Sequence, residues 1–422
     1  MAFATLMKNA PAKGAPSPSP SMDVGRYVEA VLSASLSARV ADAEMAVARA
    51  DGAGVGAWAN PTLGWQREAA GAGASSGPAV TQDIFALSWT LALSGRLGLE
   101  RQAARMGADA ATATRLRVRE ELRYEARRRF HSVLAASERR GVFESSVAAL
   151  RALEANIAAR ERAGDASGYD RLRMSVEVGA VEGLARGAAI EERTAKAMAL
   201  GLLGPDVKVL PPFIGSLAGS LAEVTPERPD PATLRALEER RPDLRALTLE
   251  AQAAEVAERA AARSWIPDPT IVAGAQVLDA GRPEEKRGYV VGLELPFPIF
   301  QRRQGEQARA AARRTLSEAK RAALTREIGG RVDALVEEVA ARQARLAAHR
   351  SQVLLPAEEL RRIAHSAYRG GASDLLVLVD AERAAREARL TAVLFAEELA
   401  EAVSQLSLLT GAAPEPAKKE KP

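Results

Sequence analysis

Ile84-Phe85-Ala86-Leu87-Ser88-Trp89-Thr90-Leu91-Ala92-Leu93 decides how this chain is read. Phe85, Leu87, Trp89, Leu91 and Leu93 alternate with Ala86, Ser88, Thr90 and Ala92, and a period of two is the mark of a β-strand. One side is large and apolar, and the other is small or hydroxylated. The second side carries no charge between Ile84 and Leu93, whereas a strand of a soluble sheet places charges on its outer face. A wall with lipid on one side and a wet lumen on the other needs this division. Taken singly, the stretch is also compatible with a buried strand of a soluble sheet.

Its surroundings occur twice, at an offset of roughly 207 residues. Trp58-Ala-Asn-Pro61-Thr62 returns as Trp265-Ile-Pro-Asp-Pro269-Thr270, Ala104-Arg105 as Ala308-Arg309, and Leu203-Gly204 as Thr410-Gly411. The first copy, residues 23–203, carries strand candidates at 60–68 and 84–93. The second, residues 231–411, carries them at 269–278 and 287–295, where Tyr289, Val291 and Leu293 alternate against Val290, Gly292 and Glu294. Each is about nine residues long, the span of a tilted strand across a bilayer. Four strands cannot close a barrel, and open edges are not tolerated in lipid. If these strands enter a membrane, several chains must pool them.

The rest reads as helix. From Leu97 to about Arg162 and from Ile299 to Arg369 only isolated glycines and Pro356 interrupt the pattern. Some 65 helical residues would extend roughly 100 Å at ~1.5 Å per residue. Val332, Val339, Leu346 and Val353 recur every seventh position beside Leu335, a coiled-coil seam. Leu122, Ala126, Phe130 and Val133 form its less regular counterpart. Glycine turns at Gly164 and at Gly370-Gly371 reverse each copy into a returning helix. Residues 1–22 and 412–422 read as disordered, and 204–230 as a Pro/Gly-rich linker.

Composition narrows the function. Aromatics make up 4% and charged residues 27% of the 422 residues, which suits long helices better than a compact core. Basic residues exceed acidic ones by four, with no basic patch interleaved with aromatics, so nucleic-acid binding has little support. Cysteine is absent from the 422 residues, so disulfides, thiolate metal ligands and acylation of a cysteine within them are not expected. No run of 18 apolar residues predicts a transmembrane helix. HExxH, Walker-type and G-x-S-x-G motifs are missing, and His131, His349 and His365 have no second ligand at helical spacing. We therefore expect no enzyme activity, no cofactor and no metal site.

Specific stretches carry a family resemblance over about residues 23–411. Arg240-Arg241-Pro242-Asp243-Leu244-Arg245 opens the second copy, and Trp265-Ile-Pro-Asp-Pro269 forms a helix-to-strand turn. Leu295-Pro-Phe-Pro-Ile-Phe300-Gln-Arg-Arg-Gln-Gly305 leads back from strand to helix. Tyr368-Arg369-Gly370-Gly371-Ala-Ser373 precedes Val377-Leu378-Val379-Asp380-Ala381. In this order and duplicated spacing they resemble the TolC-like outer membrane factors, the outer membrane efflux protein family. Asn60-Pro61-Thr62-Leu63 is similar to its heavy-metal efflux (CzcC/CusC-like) branch.

The resemblance implies a mainly α fold with a β-barrel contribution. Three chains would form a twelve-stranded β-barrel in the outer membrane and an α-barrel of antiparallel coiled-coil helices in the periplasm. It implies a passive exit duct for small molecules or metal cations, working with a periplasmic adaptor (membrane fusion protein) and an inner-membrane pump of the RND type. Phe85, Leu87, Trp89, Leu91, Tyr289, Val291 and Leu293 would face lipid. Tyr368, Arg369, Gly371, Asp374 and Asp380 would lie at the periplasmic tip, with Asp165 and Asp170 as first-copy counterparts. Asp380, nine residues past Gly371, is spaced like the family's gate acid, whereas Asp374 also suits a helix cap. Family members are exported, yet the first 22 residues lack a secretory apolar core, so a start upstream of Met1 is expected. The alternatives are a soluble coiled-coil scaffold and, within the family, a type I protein secretion duct.

Overall fold

The computed structural model describes residues 21–70, 80–164, 167–217, 241–279 and 286–410. The leader to residue 20, most of the expected linker with the start of the second copy (218–240) and the tail from 411 lie outside the described residues, as does Asp165. The elements run α1 (Val24–Ala34), α2 (Leu36–Ala53), β1 (Thr62–Ala70), β2 (Val80–Thr90), α3 (Arg96–Ala163) and α4 (Gly168–Leu202). The second copy follows with α5 (Pro242–Ala262), β3 (Thr270–Asp279), β4 (Lys286–Glu294), α6 (Gln304–His349), a π turn (Arg350–Leu354), α7 (Leu355–Arg369) and α8 (Leu375–Thr410). No helix among the described residues is long and apolar enough to cross a membrane.

The chain divides into two compact units. One combines residues 1–39, 118–237 and 328–422; the other combines 40–117 and 238–327. The second holds the sheet, of order β1-β2-β3-β4 and antiparallel throughout. β1 starts at Thr62 because Pro61 has no N–H to give a ladder. β2 begins at Val80, earlier than the alternation shows, since its first four residues mix small and polar types. It ends at Thr90, and the N–H of Leu91 donates to the carbonyl of Pro269 (2.8 Å). Beside the sheet, Ser317 of α6 donates to Glu250 of α5 (3.2 Å), and Arg101 of α3 donates to the carbonyl of Gly56 (2.7 Å).

In the other unit two apolar clusters hold the helices together. The first joins Tyr27 and Val31 of α1, Leu122, Ala126, Phe130 and Val133 of α3, Val339 and Leu346 of α6, and Leu399 and Val403 of α8. The Tyr27 hydroxyl donates to the carbonyl of Ala199 (2.7 Å), and the ring of Phe213 lies 4.8 Å from Tyr27 and 4.5 Å from Phe130. Burial, aided by the nearby Glu125, raises the pKa of the Tyr27 phenol far above its ordinary value and keeps it protonated. His131, half-buried, is pushed down to about 4 by desolvation and by Arg127, so it stays neutral at neutral pH. The second cluster joins Leu150, Leu153 and Ile157 of α3, Met174, Val178 and Val181 of α4, and Leu375, Leu378 and Val379 of α8. Each large side chain among them contributes about 1.5–3 kcal/mol by leaving water.

The heptad of the second copy holds for three of its four members. Val332, Val339 and Leu346 are buried, but Val353 is 45% exposed. The π turn explains this. Leu355 N–H bonds to the carbonyl of Arg350, five residues back, and Pro356 has no N–H to continue the α-ladder. The extra residue in the turn rotates the following side chains by about a quarter turn, so Val353 leaves the seam. α3, which lacks such a proline, runs unbroken.

Candidate functional site

Two regions carry the residues singled out above, one in each unit. In the sheet, the pairing register decides which side chains share a face. Trp65, Phe85, Ala275 and Tyr289 lie in one cross-strand row; Leu63, Leu87, Ala273 and Val291 lie in the next, and Trp89, Ile271 and Leu293 in the one after. All the large members of these rows are exposed, Tyr289 to 83%. Phe85, Leu87, Trp89, Tyr289, Val291 and Leu293 therefore share one apolar surface. Leu91 lies past the end of β2 and is half-buried.

The opposite face mixes polar and small residues with Ile84, Val272, Leu278 and Val290. Thr62 and Ser88 pair through their hydroxyls (2.7 Å), as do Thr90 and Thr270 (2.8 Å), and Gln82 donates to Gln276 (2.7 Å). Gly64, Gly274, Gly288 and Gly292 supply the remaining width. Towards the hairpin ends the apolar face stops at charge: Arg67 donates to Asp83 through Nε (2.8 Å) and Nη2 (2.6 Å), and Trp65 Nε1 donates to the same carboxylate (3.1 Å). Near the other end the Trp89 indole donates to the carbonyl of Ala59 (3.0 Å), with Trp58 5.6 Å away. An apolar band bounded by amphipathic aromatics matches a bilayer's cross-section. β1 and β4 are edge strands with open ladders, the costliest feature to leave bare in lipid.

The glycine turns lie in the other unit. Gly164 and Gly371 adopt positive φ, +88° and +75°, which only glycine takes cheaply. Ser167 and Asp170 form a reciprocal capping box at the start of α4. Asp374 accepts the N–H of Val377 (3.0 Å) and so caps α8, as its position after the glycines allowed. Asp380 is exposed on α8, one turn before Arg383. Tyr368 is half-buried, with the Arg160 guanidinium 5.6 Å from its ring centre. Arg369 is exposed and donates to the carbonyl of His365 (3.3 Å).

Sequence reading missed a layer of buried charge beside these turns. Glu177 of α4 accepts Nε of Arg383 (3.0 Å) and a second bond from its Nη2, with Nη2 of Arg386 at 3.8 Å. Glu382 takes His365 and lies 3.7 Å from Arg361; Glu358 accepts Arg389 Nη2 (2.8 Å) and Arg361 Nε (3.2 Å). Glu177, Glu382 and Arg386 are buried. Arg383 holds the Glu177 carboxyl below the usual carboxylate range, and Arg389 does the same for Glu358. The available signal was positional: Glu177 falls inside the apolar helical run Met174, Val178, Val181, where a solvated acid is out of place.

Comparison with known proteins bears on both regions. Residues 233–412 match the model of the outer membrane efflux protein family. No curated protein sequence matches the chain. Among solved structures, a membrane protein from Pseudomonas aeruginosa superposes with a TM-score of 0.74 at 19% identity, over 92% of this chain and 93% of the other. CusC, described in terms of transmembrane channel formation, gives 0.74 at 17% identity, over 92% and 91%. The outer membrane protein VceC of Vibrio cholerae gives 0.70 at 17%, over 93% and 97%. The chain thus shares the fold of these solved structures over nearly its whole length, although the family match in sequence is confined to the second copy.

Proposed function

We propose that this chain is the outer-membrane exit duct of a tripartite efflux system. Three copies pool their strands into one barrel whose apolar face meets lipid, while the helices extend into the periplasm. The observation that carries the reading is the sheet, with an exposed face of large apolar side chains, an opposite face where hydroxyl, amide and glycine residues concentrate, and two open edges. A soluble coiled-coil scaffold has no use for such a sheet. The duct is passive; a periplasmic adaptor and an RND-type inner-membrane pump select and drive the cargo, either small molecules or metal cations.

The tip acids fit a gate. Asp380 is the acid left free of a cap, and three symmetry-related copies would place a ring of carboxylates favouring cations. Asp374, Asp170 and Ser167 instead fix the helix starts. Reconstituted in planar bilayers, the wild-type protein is expected to form discrete cation-selective pores. Asp380→Ala should raise conductance and lower cation selectivity, while Asp374→Asn leaves both nearly unchanged. Absence of any pore from the wild type would refute the duct, and an Asp380→Ala pore identical to wild type would refute the gate.

A further inference from the structure

The two strand-to-helix exits are built differently. In the first copy the exit from β2 folds back onto protein: Ser94 is buried, and Arg96 binds Glu100 (2.5 Å) with Asp268 at 3.6 Å. In the second copy, Leu295–Phe300 follows β4 as irregular chain with its large apolar side chains exposed. Phe297 is 75% and Phe300 90% exposed, with Ile299 between them exposed as well. Arg302 and Arg303 follow directly. Arg302 Nε donates to the carbonyl of Pro298 (3.3 Å), and no acid among the described residues forms an ion pair with it. Arg303 shares its charge with the exposed Glu306 (3.1 Å).

Arg303 also has φ +54°, the only positive φ at a non-glycine residue among those described. This conformation costs an arginine of order 1 kcal/mol that glycine would avoid. The position therefore places a cation in a conformation that glycine would take more cheaply. Aromatic side chains followed at once by arginines form the pattern of a membrane interface, rings among the glycerol groups and guanidinium at the phosphates.

We infer that Leu295–Arg303 is a phospholipid site at the periplasmic face of the outer membrane, with Phe297, Ile299 and Phe300 in the acyl–glycerol layer and Arg302 and Arg303 on an anionic headgroup phosphate. The inference rests on the duct reading. A second copy of the chain is the competing occupant, because β4 is an edge strand. The segment leading into β1 of such a neighbour, Ala57-Trp-Ala-Asn-Pro-Thr62, holds no acid to meet the arginines. A phosphodiester supplies that charge.

The test uses the full chain in nanodiscs of phosphatidylcholine alone and of an equimolar mixture with phosphatidylglycerol, with native mass spectrometry counting retained lipid. The wild type should retain phosphatidylglycerol over phosphatidylcholine by about fivefold per arginine. Arg302→Gln combined with Arg303→Gly should abolish the preference, and the glycine suits the positive φ, so the assembly stays intact. Phe297→Ser with Phe300→Ser should lower retention of both lipids. An arginine double variant with unchanged preference overturns the proposal. So does an aromatic variant that falls into single chains with retention per chain unaltered, which would assign the segment to a contact between copies. A wild type that conducts yet shows no headgroup preference defeats this inference alone; one that never conducts defeats the duct reading beneath it.

Discussion

A Gly274→Val chain will lose the sheet and with it every membrane property. A Cβ at this position would stand 2.3 Å from the carbonyl oxygen of Phe85 and 2.9 Å from the Cα of Ala86. Both are backbone atoms of the neighbouring strand, so no rotamer relieves the clash. The β2–β3 ladder must open, and it is the junction between the two sequence copies. The cost exceeds the ~1–3 kcal/mol usual for overpacking, because a rigid ladder cannot shift aside. Gly64 serves as the control. It lies on the same face and pairs with Ala86 from the other side, but its Cβ would meet nothing closer than 3.8 Å. Heat-resistant oligomer on gels should vanish for Gly274→Val and persist for Gly64→Val. Persistence for both would show that the β2–β3 register is wrong.

Glu177→Ala should release the helices beside the glycine turns. The carboxylate anchors Arg383 and faces Arg386, whose Nη1 is already buried without a partner. Removing it strands buried positive charge, a change that typically costs about 3–5 kcal/mol. Hydrogen exchange across α4 and α8 should quicken strongly, whereas loss of the exposed Glu359–Arg362 pair should leave it unaltered. A Glu177→Met, Arg386→Leu double variant should recover much of the protection, since apolar groups of similar volume leave less charge to bury.

The pH dependence has a definite sign. The folded-state pKa of Glu177 is depressed, so its contribution is complete above the ordinary carboxylate value of about 4.3 and is lost as pH falls through the lower folded value. Acid should therefore loosen the wild-type tip below about pH 4 and change Glu177→Ala far less. Equal acid sensitivity in both would remove Glu177 from the account.

The sequence revealed what depends on local period and missed what depends on distant partners. Phe85, Leu87 and Trp89 announce their strand because one face is large and the other small. Val80–Asp83 of the same strand stayed hidden, because Thr81, Gln82 and Asp83 break the alternation while their backbones still pair with β1 and β3. Asp374 was legible as a cap from its place after two glycines. Val353 misled, because a heptad count assumes uninterrupted α-helix and the π turn before Pro356 adds a residue. Glu177 and Arg383 lie 206 positions apart; each alone resembles one more charge on a solvated face. Only the fold brings them together.

The number of chains in the detergent-solubilised particle is the most direct test, because an apolar wall with two open edges has to be closed by copies of itself. Native mass spectrometry should find three chains of 44.7 kDa each and no stable smaller species. A particle that remains a single chain, its β1 and β4 edges unpaired, would contradict the account at its root.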